Sequence, residues 1–159
     1  MESKSNNILW VFLIGLIAYL MYNFSPYQKP TSKILSNLNT EVTVKADPQG
    51  HYIFTGEING KKVFFLFDTG ATSVAIPPKI ANKLGVVRGT KYYSHTANGK
   101  ALSYATNLNE VKVGDIRMRD VQGSIATGMK GNYVLLGMSF LRHVEITQFK
   151  GTLKLRVRQ

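Results

Sequence analysis

The sequence predicts an all-β domain, and three observations carry that expectation. From position 40 onward, short runs rich in β-branched and aromatic residues follow one another closely. Turn dipeptides separate them: Asn59-Gly60, Asn98-Gly99, Gly114-Asp115 and Lys150-Gly151. Only two stretches have the composition of a helix, and neither is long enough for more than a turn or two.

In chain order, Glu41 to Ala46 and His51 to Ile58 read as strands, and Asn59-Gly60 turns the second into Lys61 to Asp68, a β-meander. Pro77-Pro78, then Lys79 to Leu84 and Gly85, form a short helix with proline at its start and glycine past its end. Tyr92 to Ala97 and Ala101 to Thr106 make a hairpin about Asn98-Gly99, and Val111 to Val113 with Ile116 to Val121 make a second about Gly114-Asp115. After Ser124 to Ala126 comes a glycine-containing loop, Thr127 to Asn132, and then the apolar strand Tyr133 to Leu136, stopped by Gly137. Met138 to His143 supplies the second helix. Val144 to Phe149 and Thr152 to Val157 close the chain as a hairpin around Lys150-Gly151. About ten strands and two short helices are expected, with no internal repeat.

The 159 residues divide into three parts. Ile8 to Tyr22 is an uncharged apolar run of fifteen residues, seventeen with Asn23 and Phe24. A spanning helix needs about 20, so the run is short but usable, with Trp10, Tyr22 and Tyr27 at the interfaces. No small-x-small site follows it, and Pro26 stands where a signal peptidase would cut, so residues 1–24 are expected to be an uncleaved transmembrane anchor. Lys4 and the terminal amine face Glu2 on one side while Lys29 and Lys33 lie on the other, so charge does not orient the anchor. Residues 25–39, rich in Pro, Ser and Asn, read as a flexible tether. Residues 40–159 are the single folded domain.

The absence of cysteine excludes disulfides, zinc-thiolate sites and thiol nucleophiles. The formal charge of +11 lies outside the anchor, but the cations are scattered and no block of five like charges occurs. They read as a solvated surface. Clustered Lys/Arg with interleaved stacking aromatics is absent, so no specific nucleic-acid partner is expected.

The chemistry concentrates in Phe65-Leu66-Phe67-Asp68-Thr69-Gly70-Ala71-Thr72. An apolar strand delivers a carboxylate, then a hydroxyl that can brace the loop, then a residue without Cβ for close backbone approach. A lone Asp-Thr-Gly is also an ordinary turn at a strand end. Context raises it: some 65 residues later Val134-Leu135-Leu136-Gly137 repeats the apolar-apolar-Gly pattern before a short helix. Alone, that second run would be a plain core strand.

Together the two elements resemble the retropepsin-like aspartic proteases, in particular the small membrane-anchored bacterial members with a Thr-Ala-Asn-Gly turn and a Leu-Leu-Gly-Met-Ser-Phe-Leu segment. Here these are Thr96 to Gly99 and Leu135 to Leu141, and the likeness spans roughly Glu41 to Leu155. The resemblance implies a single acid-protease β-barrel behind one transmembrane helix, in a domain facing the bacterial periplasm from the inner membrane. It makes Asp68 the catalytic carboxylate, Thr69 the hydroxyl that cross-braces two active loops, and Gly70 the close-approach position. Thr72 and Gly137 would support the loop, and Ala97, Asn98 and Gly99 would tip a flap over a polypeptide substrate.

Aspartic proteolysis needs two carboxylates that share a proton. This chain has one Asp-Thr-Gly, and its other eight carboxylates lie outside any second one, so a homodimer with Asp68 from each copy is the economical arrangement. No cofactor is required. Leu153, Leu155 and Val157 alternate with Lys154, Arg156 and Arg158, and in retropepsin-like dimers the chain ends interleave beside the two-fold axis. The last strand is therefore expected at the subunit interface, or else as an edge strand guarded by its basic residues.

Other chemistries fare worse. Gly137-Met138-Ser139-Phe140-Leu141 starts like a nucleophile elbow but ends in Leu without the α/β context, so Ser139 reads as part of a core helix start. His51, His95 and His143 lack metal-ligand spacing, and no metal site is expected. The rival function is a non-catalytic dimeric module that binds peptides or anions on the same fold; the intact Asp68-Thr69-Gly70 favours the enzyme.

Overall fold

The computed structural model describes residues 13–17, 32–36, 40–96 and 99–157. Among the described residues, eleven strands and two short helices follow one another from position 33. The strands are β1 (Lys33–Ile34), β2 (Glu41–Lys45), β3 (Ile53–Ile58), β4 (Lys61–Phe67), β5 (Val74–Ile76), β6 (Lys91–Thr96), β7 (Gly99–Val113), β8 (Ile116–Ala126), β9 (Tyr133–Leu136), β10 (Val144–Phe149) and β11 (Thr152–Val157). Helix α1 is Pro78–Leu84 and α2 is Met138–Leu141.

Eight strands run in the order β1-β8-β5-β9-β4-β3-β7-β6, and a further pairing of β7 with β8 closes six of them into a barrel. Closure removes the open edges that an antiparallel sheet would otherwise expose. The turns follow from residue type. Asn59 and Gly60 take φ of 51° and 75°, so the β3–β4 hairpin closes on two left-handed residues, as an Asn-Gly pair allows. Gly85, at φ 71°, ends α1 with its N–H on Asn82 O, while Lys61 Nζ reaches Lys83 O at 2.9 Å at the negative end of the helix.

The barrel interior is apolar: Ile58, Phe65, Ile76, Leu108, Ile125 and Leu136 are at most 1% exposed. Burying a side chain of this size contributes about 1.5–3 kcal/mol. Phe65 needs a glycine diagonally across on β3, because a Cβ on Gly56 would lie 2.6 Å from its ring. A separate sheet, β10-β11-β2, lays Leu153, Leu155 and Val157 against the same core. Its outer face carries Glu41, whose carboxylate sits 2.9 Å from Arg156 and 3.1 Å from Lys154. The Arg156 hydrogen bond, then that of Lys154, holds the Glu41 carboxyl below the ordinary glutamate range.

Three expectations change. The 25–39 stretch contributes a strand: Lys33–Ile34 pairs with Met118 and Arg119, and Ser36 Oγ donates to Asp115 O at 2.7 Å. The two expected strands, Ala101 to Thr106 and Val111 to Val113, merge into the fifteen-residue β7, because Asn107, Leu108 and Glu110 between them stay in register with β8. The C-terminal strand β11 lies between β10 and β2, with both sides paired. It therefore has no open edge to interleave with a partner, nor is it an edge strand.

Of the apolar N-terminal run, residues 13–17 are helical and the remainder lies outside the described residues. Among the described residues no helix is long and apolar enough to cross a membrane.

Candidate active site

β4 and β9 are parallel neighbours at the centre of the eight-stranded sheet, with Phe67 opposite Leu136. Both strands end at the same rim. Asp68 follows β4 there, and its N–H donates to Leu136 O at 3.2 Å, prolonging the ladder by one bond. Phe67 is steadied from the other side, its N–H on Tyr52 O at 3.0 Å and its ring edge-on to Tyr52. The period-two alternation of β4 puts Asp68 on the face of Phe64 and Leu66, opposite the buried Val63 and Phe65.

The loop after Asp68 is small and tightly bonded. Gly70 N–H donates to Asp68 Oδ1 at 2.8 Å, and Ala71 N–H to Asp68 O at 3.3 Å. One lone pair of the half-exposed carboxylate is thus fixed while the other oxygen remains available. Thr69 and Gly70 are exposed at the rim.

Gly137 lies under this loop. A Cβ there would meet Ala71 O at 2.5 Å and Ser73 O closer still, so no larger residue fits without moving backbone. The next residue, Met138, donates its N–H to Ala71 O at 2.8 Å. The two sequence elements that stand far apart in the chain therefore form one unit.

Thr72, the expected support, is exposed, and the link is made by its neighbour: Ser73 Oγ donates to Ser124 Oγ at 3.0 Å. Ser139, 3% exposed, accepts Val74 N–H at 3.0 Å and donates to Gln122 O at 2.7 Å, tying β5 and β8 to the start of α2. These serines were not legible as loop supports because serine is common in turns and cores alike. Ser139→Ala leaves the buried Val74 N–H without a partner, which costs about 1–3 kcal/mol. We expect a lowered melting temperature for this variant, and thermal denaturation monitored by circular dichroism checks it.

The β6–β7 hairpin stands at the end of the sheet, paired on one side only. Gly99 takes a φ of 99° and faces Thr96, whose Oγ1 donates to Gly99 O at 2.8 Å. Ala97 and Asn98 lie outside the described residues. Ser94 and Ser103 face one another at 2.9 Å between Oγ atoms, and Tyr93 is 66% exposed. Thr127 anchors the hairpin base through its N–H and Oγ1, both on Leu102 O.

Beside Asp68 the exposed face of β4 and β9 is apolar. Leu66 pairs with Leu135, and Phe64 with Tyr133, whose rings meet edge-on at 6.5 Å. Among the described residues no three His, Cys, Asp or Glu side chains converge.

A closed barrel with Asp-Thr-Gly at one strand end and a glycine beneath it defines the retropepsin-like class of fold. It matches the crystal structure of a retropepsin-like aspartic protease from Rickettsia conorii with a TM-score of 0.62 and 25% identity, over 80% of this chain and 93% of that one. The chain belongs to the gag-polyprotein putative aspartyl protease family, whose model matches residues 54–143. It is 29% identical to an uncharacterised protein from the cobV 5' region of a Sinorhizobium species, over 94% of this chain and 71% of that protein. An uncharacterised protein of Rickettsia prowazekii is 31% identical over 70% of this chain, which spans 46% of that longer protein.

Proposed function

We propose that the chain is a homodimeric aspartic endopeptidase in which Asp68 from each copy activates one shared water. The observation that carries this is the Asp68 loop: a half-buried carboxylate at a strand rim, fixed through one oxygen by Gly70 N–H, in a chain with a single such motif. Two carboxylates about 3 Å apart hold one proton between them, so one serves as base and its partner as acid. The ionised member takes a proton from water as it attacks the scissile carbonyl. The protonated member hydrogen-bonds the developing gem-diol, and a proton then passes to the departing amine. The exposed Thr69 hydroxyls brace the two loops against each other, and the β6–β7 hairpin closes over the substrate.

An extended polypeptide fits this site. Its backbone pairs with strand edges, and alternate side chains enter the apolar face of Leu66 and Leu135. Statine- or hydroxyethylene-type mimics should block cleavage, because their hydroxyl occupies the position of the tetrahedral oxygen. The pH profile should be bell-shaped with an acidic optimum, since only the singly protonated pair works. Insensitivity to the mimics, or a rate still climbing at about pH 9, contradicts the mechanism.

In this proposal residues 1–24 anchor the enzyme in the cytoplasmic membrane, and residues 40–159 act in the periplasm. A C-terminal alkaline phosphatase fusion should then be active, and activity confined to a cytoplasmic reporter reverses the topology.

A further inference from the structure

We infer that the β6–β7 hairpin selects polypeptides that are acidic beside the bond to be cut, through cations gathered on one of its faces. The inference rests on the protease proposed above, in which this hairpin closes over the substrate, and adds the class of sequence it accepts. Between Asp68 and Glu110 the chain contains no carboxylate, while Lys79, Lys83, Arg88, Lys91 and Lys100 fall within that interval. Charge that looks scattered over the whole chain is thus of one sign across α1 and the hairpin.

Strand register sorts these residues by face. Side chains directly opposite in an antiparallel pair point the same way, and here Lys91 stands opposite Tyr104, Tyr93 opposite Leu102 and His95 opposite Lys100. Lys91, Tyr93 and His95 alternate along β6, so all six share one face. Arg88 joins them, its guanidinium 5.2 Å from the centre of the Tyr104 ring. The other face carries Tyr92, Ser94, Ala101 and Ser103 and no charge. Arg88, Lys91, Tyr93, His95 and Lys100 are all exposed. Among the described residues no carboxylate lies within ion-pair distance of Arg88, Lys91 or Lys100, whereas Lys112, Arg119, Lys154 and Arg156 each have one.

Unpaired cations on one face make a positive field that an anionic partner relieves. A polypeptide suits this face better than other polyanions, because β6 is paired on one side only and its far edge offers backbone N–H and C=O groups to an extended chain. A segment paired there turns alternate side chains to alternate faces, so carboxylates at every second position meet the row of Lys91, Tyr93 and His95. The preference belongs beside the scissile bond and not at it. A substrate carboxylate against the Asp68 pair would add a like charge there, whereas the apolar face of Leu66 and Leu135 suits apolar side chains.

Three peptides test this, identical in an apolar centre and carrying Glu, Gln or Lys at alternate positions on both sides of it. The full-length chain in uncharged detergent should cleave the Glu peptide with a kcat/KM about fivefold above that of the Gln peptide at about 20 mM salt, and the Lys peptide more slowly still. The gap should close at about 500 mM salt. Lys91→Glu with Lys100→Glu should reverse the order, and Lys91→Arg with Lys100→Arg should keep it. Equal kcat/KM for the three peptides, preference for the Lys peptide, or an order that the Glu double variant leaves unchanged overturns the inference. Binding is measured separately on full-length Asp68→Asn by fluorescence anisotropy, with the same order expected and single-stranded oligothymidylate as the rival ligand. Glu-selective binding with no cleavage by the unaltered chain upholds the acidic preference and counts against the protease; cleavage without charge preference upholds the protease and removes the preference. Oligothymidylate that binds through Lys91 and Lys100 while the three peptides bind alike makes this face a nucleic-acid surface, and likewise overturns the inference.

Discussion

Asp68→Asn is expected to abolish the proposed peptide cleavage, lowering kcat/KM by about 10⁴-fold, while the domain stays folded. The amide is isosteric and still accepts the Gly70 N–H that lies 2.8 Å from Asp68 Oδ1, so the loop keeps its shape. What disappears is the capacity to hold and release a proton. The mutant therefore separates chemistry from architecture, which Asp68→Ala does less cleanly because it also strips Gly70 of its acceptor. If both copies supply an Asp68, unaltered chains mixed with excess mutant should lose activity faster than in proportion to dilution, since mixed dimers hold one competent carboxylate. Steady-state cleavage of a peptide library, with circular dichroism on the same samples, measures both parts. Turnover by Asp68→Asn at the unaltered rate would falsify the aspartic mechanism.

Gly137→Ala produces the second large effect, on stability and activity together. The new methyl group would overlap the backbone oxygens of Ala71 and Ser73, neither of which is the end of a flexible side chain. The loop must lift, breaking the bond from Met138 N–H to Ala71 O and displacing Asp68. Overpacking of this kind costs about 1–3 kcal/mol, and a domain of about 120 residues loses about 4 °C in melting temperature for each kcal/mol. Misplacement of the carboxylate by as little as about 1 Å costs a further 10²-fold in rate. Gly131→Ala is the control, because nothing lies within 4 Å of its would-be Cβ. Its φ of 114° makes even that change a backbone test rather than a steric one. Thermal melts of the two variants, together with their cleavage rates, separate a crowded site from a strained turn.

Most of the barrel was legible because its signals are local. Asn59-Gly60 and Lys150-Gly151 impose left-handed turns, and a two-residue turn fixes the register of the strands it joins. The parts that escaped depend on distant partners. β5 is three residues, Val74–Ile76, too short to show a period, and it exists because β8 and β9 flank it. β1 is two residues whose partners are on β8. The basic-apolar alternation of β11 was legible as a two-faced strand, but alternation cannot distinguish a central strand from an edge, since that depends on which neighbours arrive. The same limit applied at the site. Asp68, Thr69, Gly70 and Gly137 are marked by residue types that few other roles require, whereas Ser73, Ser124 and Ser139 act through hydrogen bonds that only the folded arrangement defines.

The pairing of β4 with β9 also dictates an order of events as the chain is made. The Asp68 loop is completed by contacts that span about 65 residues, as between Val74 and Ser139, and these partners leave the ribosome late. Contacts of such sequence separation form slowly, because a long loop must close before they stabilise anything. A nascent chain that already displays Asp68 consequently lacks the strand and glycine that hold the loop in shape. In the protease proposed above, connectivity withholds the chemistry at least until residues 133–139 have been made.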